Sequence, residues 1–124
     1  MNAEIVFTRE PIVIPIFAPV SKEIGAVVEF QGLVREMENG GTLRGLDYEA
    51  YEPMASRQLE RIFDELARTY PIAAVTFIHR LGWVPVGEAS LFLRVQSAHR
   101  GEALAFCGHA IDRMKCDVPI WKKS

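Results

Sequence analysis

The chain has few of the residues that build disulfide-stapled or metal-dependent sites. It contains two cysteines and three histidines among its 124 residues. Cys107 and Cys116 do not show the spacing of metal ligands, and without a secretory signal two cysteines indicate reduced thiols. His79, His99 and His109 are too far apart and too differently placed to suggest a shared metal site. These absences argue against a disulfide framework and against a zinc site.

Long apolar runs and an excess of positive charge are also missing. No apolar run approaches the ~18–20 residues that are needed to cross a bilayer. The longest candidate, residues 12–20, is interrupted by Pro15 and Pro19 and follows Arg9 and Glu10, unlike a signal peptide. The net charge of −2 argues against a nucleic-acid protein with a broad basic surface. We therefore expect a cytoplasmic protein that binds neither membrane nor nucleic acid.

The composition that remains is that of an ordinary globular protein. Hydrophobic residues make up 49% and charged residues 24% of the chain. A length of 124 residues suits one domain, residues 1–124, with a core that needs no covalent staples. No nucleophile elbow, Walker loop, dinucleotide fingerprint or zinc pattern is present.

Hydrophobic periodicity predicts an α+β fold. Apolar residues recur at helical spacing in residues 53–69 and 101–115, and Pro53 suits the first turn of a helix. A turn signal at residues 38–41 separates two β-rich segments and predicts that they form a hairpin. The expected architecture is a largely antiparallel sheet with two long helices on one face, plus a hairpin subdomain. The predicted strands cover residues 4–8, 25–35, 43–51, 73–80 and 88–97. Residues 11–20 should be irregular or contain at most a helical turn or two.

The C-terminus is the most informative part of the chain. Pro119 lacks a backbone donor, so the second helix must end at or before Val118. Lys115 and Lys122 can then converge from a helix end and an extended tail, where two amines beside Trp121 could bind an anion or transfer protons. The alternative is that Lys115 only complements the helix dipole and that the terminal lysines only improve solubility.

Further basic residues lie where predicted elements end. Arg35 ends a strand, and His99 and Arg100 precede the second helix, whose free backbone donors favour an anion. His79 and Arg80 end another strand. They are either part of a site or a structural pair at the edge of the sheet, with their polar groups already satisfied by hydrogen bonds. The residues alone therefore indicate an anion-binding site that is poor in carboxylates.

Five sequence blocks, taken in order, are similar to a known family. The chain resembles the large, catalytic subunits of molybdopterin synthase, the MoaE-like family, from about residue 25 to residue 123. Each block is weak evidence alone, but the series that ends in the two-lysine tail is specific. The blocks are FQGLVR at 30–35, LDYEAYEPMA at 46–55, HRLG with GE at 79–82 and 87–88, SAHR at 97–100, and KCDVPIWKK at 115–123.

The resemblance implies a sulfur transferase of molybdenum cofactor biosynthesis. Such proteins convert cyclic pyranopterin monophosphate to molybdopterin, and the sulfur arrives as a thiocarboxylate on the C-terminal glycine of a ubiquitin-like small subunit. The family assembly is a heterotetramer, in which a central dimer of large subunits carries a small subunit at each end. The resemblance also implies an α/β-hammerhead type of fold and neither a metal nor a cofactor.

The resemblance also implies roles for seven residues. Lys115 and Lys122 match the essential, catalytic lysines of the family. The other matches bind substrate, and His99 and Arg100 are expected to reach the site from the other protomer. An alternative function is a non-catalytic module that docks the C-terminal tail of a ubiquitin-like protein. The substrate-binding matches are Arg35, His99, Arg100, Phe30 and Met114.

Overall fold

The computed structural model describes residues 1–38 and 40–123, so Asn39 of the predicted turn lies outside the described residues. Two long helices and a series of strands form the fold. The helices are α1 (Glu52–Thr69) and α2 (Arg100–Asp117). The strands are β1 (Asn2–Thr8), β2 (Ala26–Leu33), β3 (Met37–Glu38), β4 (Gly41–Thr42), β5 (Gly45–Ala50), β6 (Ala74–Arg80), β7 (Gly82–Pro85), β8 (Ala89–Ser97) and β9 (Ile120–Lys123).

The larger sheet has four strands in the order β1-β6-β8-β2. Only its β1–β6 pair is parallel, while β6–β8 and β8–β2 are antiparallel. Both helices cover one face of this sheet, because their buried residues join one core with Val75, Phe77, Leu93 and Val95 of the strands. The predicted α+β class, with a largely antiparallel sheet and both helices on one face, is confirmed.

The helices form where their apolar residues repeat with the helical period. Leu59, Ile62 and Phe63 of α1 are almost fully buried, and Phe106 of α2 packs its ring against Phe63 with centroids 5.8 Å apart. Pro53 lies in the first turn of α1, where its missing backbone donor costs nothing. The core-facing residues of α2 are Ala103, Phe106, Cys107, Ala110 and Met114.

Residues 11–20, which we call the strap, cross the opposite face of the sheet without regular secondary structure, as predicted. Two polar side chains of β8 hold the strap. Arg94 Nη2 donates to the Pro15 carbonyl at 2.8 Å, and Gln96 Oε1 accepts from the Val20 backbone N–H at 3.0 Å. Arg94 is buried and also pairs with Glu29, so its charge is compensated.

The predicted hairpin is wrong in its pairing. β2 pairs with β8, whereas β5 belongs to a separate three-stranded sheet in the order β7-β5-β9. The turn signal instead lies in the short β3–β4 pair, which leads the chain from one sheet to the other. Strands β7 and β9 were not predicted, because four residues each are too few to show a period.

A second, smaller core lies between the two sheets. It contains Val34, Leu46, Tyr48, Leu81 and Val84. Phe7 and Ile120 pack against both cores and connect them.

We expect Leu59→Ala to lower the free energy of unfolding by about 2–5 kcal/mol, because a fully buried leucine leaves a cavity when it is truncated. Leu104→Ala on α2 is the matched control. Its side chain is 57% exposed, and the change should stay within about 0.5 kcal/mol. Urea titrations of both variants check this, and equal losses would contradict the burial that the structure assigns to α1.

Candidate active site

A cavity of about 680 Å³ lies between the two sheets and the end of α2. This volume is within the range of small-molecule sites. Its basic lining residues are Arg35, Lys115 and Lys122, and its apolar walls include Phe30, Met114 and Ile120. Five of the seven predicted site residues therefore line one cavity, although they come from three separate parts of the sequence.

The two lysines converge because the chain reverses at Pro119. Helix α2 ends at Asp117, and Val118 is extended with its N–H donated to the Met114 carbonyl at 3.1 Å. The Pro119 carbonyl then accepts the Tyr51 N–H at 3.1 Å, which starts the pairing of β9 with β5. The prediction that the helix stops at or before Val118 is confirmed.

Strand alternation separates Lys122 from Lys123. Lys122 lies opposite Tyr48 in the β5–β9 pair, and both residues line the cavity. Lys123 faces the other side, where its Nζ pairs with Glu49 Oε1 at 2.7 Å. The hydrogen bond and the charge of Glu49 raise the pKa of Lys123. The terminal lysines are therefore not equivalent, since only the first lines the cavity.

Arg35 follows an irregular end of β2. The register of β2 against β8 shifts between Gly32 and Leu33. Val34 is then anchored by two backbone hydrogen bonds, from its N–H to the Glu88 carbonyl at 3.1 Å and from Gly87 N–H to its carbonyl at 2.9 Å. Because Val34 is buried, the exposed Arg35 is directed to the cavity rim from a fixed point of the backbone.

His99 and Arg100 lie elsewhere in the same chain. They line a second concavity of about 430 Å³ with Gly25, Ala98 and Gly101, at the N-terminus of α2. Lys115 is at the other end of this helix, so its backbone is roughly 22 Å from that of Arg100 at ~1.5 Å per residue. Within one protomer, the predicted site is therefore divided between two concavities.

Gly25 allows the second concavity to form. A β-carbon at this position would collide with the Ala98 carbonyl oxygen. The Gly25 N–H also donates to the Ser97 carbonyl at 3.0 Å, which holds the start of β2 beside the loop before α2. The Ser97 hydroxyl in turn accepts the His99 N–H at 3.1 Å. These hydrogen bonds therefore fix the conformation of the loop before α2.

The structure adds His79 and Tyr48 to the cavity lining. His79 is 3% exposed, and its ring stands edge-on to that of Tyr48 with centroids 5.1 Å apart. Burial lowers the pKa of His79, and the hydrogen bond with the Arg80 carbonyl opposes this as the smaller effect. The sequence did not decide whether His79 belongs to a site or to a structural pair. Its place in the HRLG block, which is part of the family resemblance, was the signal that favoured a site.

Arg80 is part of the support behind the cavity. Its Nη1 pairs with Glu88 Oε1 at 2.7 Å, which ties the end of β6 to the residue before β8. Its buried Nε has no hydrogen-bond partner among the described residues. Arg80 does not line the cavity, whereas its neighbour His79 does, so these two adjacent residues have different surroundings.

In residues 1–38 and 40–123, no three histidine, cysteine, aspartate or glutamate side chains are grouped so that they could hold a metal ion. Cys107 is buried in the helical core, where burial raises the pKa of its thiol, and Cys116 is exposed. No helix in this part of the chain is long and apolar enough to cross a membrane. The cavity that Arg35, Lys115 and Lys122 line, here called the cationic cavity, is the candidate active site because it brings these basic residues together.

The lowered pKa of His79 predicts that acid destabilises the fold. The unfolded chain binds a proton at this histidine at a higher pH than the folded chain does, so the contribution of neutral His79 is complete above about pH 6.5. It is lost as the pH falls from there toward the folded pKa. Urea titrations between pH 7.5 and 5 should show wild type losing more stability than His79→Gln, and parallel losses would contradict the prediction.

Comparisons with known proteins point to one family. Residues 7–117 match the family model described as MoaE protein. The molybdopterin synthase catalytic subunit of Arabidopsis thaliana is 46% identical over 101 residues, which are 82% of this chain and 51% of that protein. The chain spans about half the length of several curated relatives that it matches.

Solved structures give the same assignment. The crystal structure of molybdopterin synthase from Staphylococcus aureus has a TM-score of 0.87 and 37% identity, over 94% of this chain and 87% of that one. A complex of subunits 1 and 2 of the molybdopterin-converting factor from Helicobacter pylori has a TM-score of 0.69 and 28% identity, over 82% and 66% of the two chains. Together with the family model, these similarities establish that the chain belongs to the MoaE family.

Proposed function

We propose that this protein is the sulfur-transferring, catalytic subunit of a molybdopterin synthase, converting cyclic pyranopterin monophosphate to molybdopterin. The observation that carries the proposal is the convergence of Arg35, Lys115 and Lys122 on one cavity in a chain of the MoaE family. The sulfur donor is the thiocarboxylated C-terminus of a ubiquitin-like small subunit. A cytoplasmic location is part of the same proposal.

The cavity suits a reaction between two anions. The substrate phosphate and the thiocarboxylate repel each other, so their encounter requires fixed positive charge between them. Arg35, Lys115 and Lys122 supply this charge, and charge-assisted hydrogen bonds are about twice as strong as neutral ones. As sulfur adds to the substrate and the cyclic phosphate opens, negative charge grows on the departing oxygen. The lysine ammonium groups stabilise that charge and can donate a proton to it.

Phe30 and Met114 give the cavity its apolar walls. Both side chains line the cavity, and Met114 is at the same time part of the helical core. An apolar wall lowers the local dielectric constant, so the charges of the basic residues act more strongly on a bound anion than they would in water. We assign both residues to substrate binding by shape and exclusion of water.

The small subunit is the proposed protein partner. The Helicobacter pylori relative is known as a complex of subunits 1 and 2, which supports a two-subunit enzyme here. The cavity rim contains exposed apolar side chains, Leu33 at 55% and Trp121 at 46% exposure. An extended tail that enters the cavity would cover both and bring its terminal group to the lysines.

A second copy of this chain completes the proposed site. His99 and Arg100 are on the far end of α2 from Lys115, so they can act on the same substrate only from another protomer. A dimer with two-fold symmetry would pair each lysine-containing cavity with the second concavity of its partner. The proposed assembly is a heterotetramer, in which this dimer carries two small subunits. Residues 1–124 act in it as one domain, since Phe7 and Ile120 join the two cores.

Lys115→Ala and Lys122→Ala should each nearly abolish product formation, because each removes an ammonium group from the cavity. Lys123→Ala is the matched control, since Lys123 faces Glu49 on the other side of β9, and it should retain most activity. The measurement is dithiolene formation from cyclic pyranopterin monophosphate and thiocarboxylated small subunit. Wild type that binds the small subunit but forms no product would favour the docking-module alternative, and wild-type turnover in both cavity variants would refute the catalytic roles.

Mixing Lys122→Ala protein with Arg100→Ala protein should restore activity if the site is shared. One site of a mixed dimer would carry both defects and the other site would carry neither. Random mixing yields about half mixed dimers, so roughly a quarter of all sites would be intact. Mass spectrometry must first demonstrate subunit exchange. Exchanged dimers that stay as inactive as the separate variants would contradict a site built from two protomers.

A further inference from the structure

We propose that His79 is a substrate-binding residue, whose Nε2 accepts a hydrogen bond from an N–H or O–H group of the ligand in the cationic cavity. The inference rests on the proposed function for the identity of that ligand, cyclic pyranopterin monophosphate. It concerns a residue for which the sequence left a role in the site undecided.

The hydrogen bond of Nδ1 fixes the tautomer of His79. Nδ1 lies 2.8 Å from the Arg80 carbonyl oxygen, and a carbonyl oxygen can only accept. The proton of the neutral imidazole is therefore on Nδ1, and Nε2 carries a lone pair. Among the described residues, the hydrogen bond of the His79 ring is made by Nδ1 and not by Nε2. The acceptor is therefore available to a molecule in the cavity that His79 lines.

The surroundings of His79 hold its ring in place. Tyr48 packs edge-on to one side, and Phe77 lies with its ring centroid 6.3 Å away. The Arg80–Glu88 ion pair fixes the backbone that carries the accepting carbonyl. Gly82 then turns the chain with a φ of 82°, a conformation that favours glycine, and starts β7. A ring packed in this way points its acceptor in one direction only.

A neutral acceptor complements the basic residues of the cavity. Arginine and lysine donate hydrogen bonds but cannot accept them. The substrate has anionic oxygens, which these residues can bind, and ring N–H groups, which they can only repel. Because burial disfavours the imidazolium form, His79 keeps its acceptor at neutral pH.

The first test compares the affinities of two variants for cyclic pyranopterin monophosphate by titration calorimetry. His79→Phe keeps a ring of similar size without an acceptor, and it should weaken binding about five- to tenfold, as expected for one lost hydrogen bond. His79→Gln restores an acceptor near the position of Nε2 and should bind within about twofold of wild type. His109→Gln is the control, because His109 stacks on Tyr70 away from the cavity, and it should change nothing.

The second test observes Nε2 directly and does not depend on how well a variant packs. Wild-type protein with ¹⁵N-labelled histidine should show His79 in the Nδ1–H tautomer, and substrate should shift its Nε2 resonance toward that of a hydrogen-bonded nitrogen. The resonance is assigned by its loss in His79→Gln. The His109 resonances should not move.

The outcomes separate this inference from the proposed function. Wild type that binds and converts the substrate, with an unchanged Nε2 resonance or with equal affinity in His79→Phe, would overturn the role of His79 and leave the proposed function standing. Wild type that neither binds nor converts the substrate would overturn both. A shifted Nε2 resonance together with weaker binding in His79→Phe, rescued in His79→Gln, supports the inference.

Discussion

The hydrogen bond between Tyr51 N–H and the Pro119 carbonyl is the contact on which the candidate site most depends. It joins the segment just before α1 to the segment just after α2, and from it β9 pairs along β5. Without this pairing, the last residues would be an ordinary frayed terminus. With it, Lys122 is held beside Tyr48 and within the same cavity as Lys115. A single backbone reversal therefore brings two lysines that are seven positions apart in sequence into the lining of one cavity.

The elements with a clear hydrophobic period could be predicted from the sequence. Both helices and the long strands of the four-stranded sheet were found within a few residues, and so were the end of α2 and the irregular strap. Strand pairing could not be predicted, because a turn signal reports only local geometry. The second sheet is built from contacts between β5 and two four-residue strands that are distant in sequence.

The site, like the fold, could be predicted only in part. The basic residues at the ends of the predicted elements indicated an anion site, and the family resemblance supplied the particular residues. What the sequence could not give is their division into two concavities at opposite ends of α2. It also could not distinguish His79 from Arg80, because adjacent strand residues face opposite sides and only the packing shows which side has the cavity. The different surroundings of Lys122 and Lys123 follow from the register of β9, which a four-residue segment does not reveal.

The contacts of the strap bear on the order in which parts of the chain fold. Its hydrogen bonds come from side chains of β8 that are 76 to 79 positions away in sequence. The strap therefore cannot form these hydrogen bonds until β8 has paired with β6 and β2. Closing a chain loop of this length also costs conformational entropy. Most residues of the strap are exposed, whereas the helical core lies on the other face of the sheet. We therefore expect the strap to open locally before that core does. Its release would remove the Pro15 carbonyl and the Phe17 ring from Arg94, and Glu29 and the Phe92 ring would remain in contact with that charge.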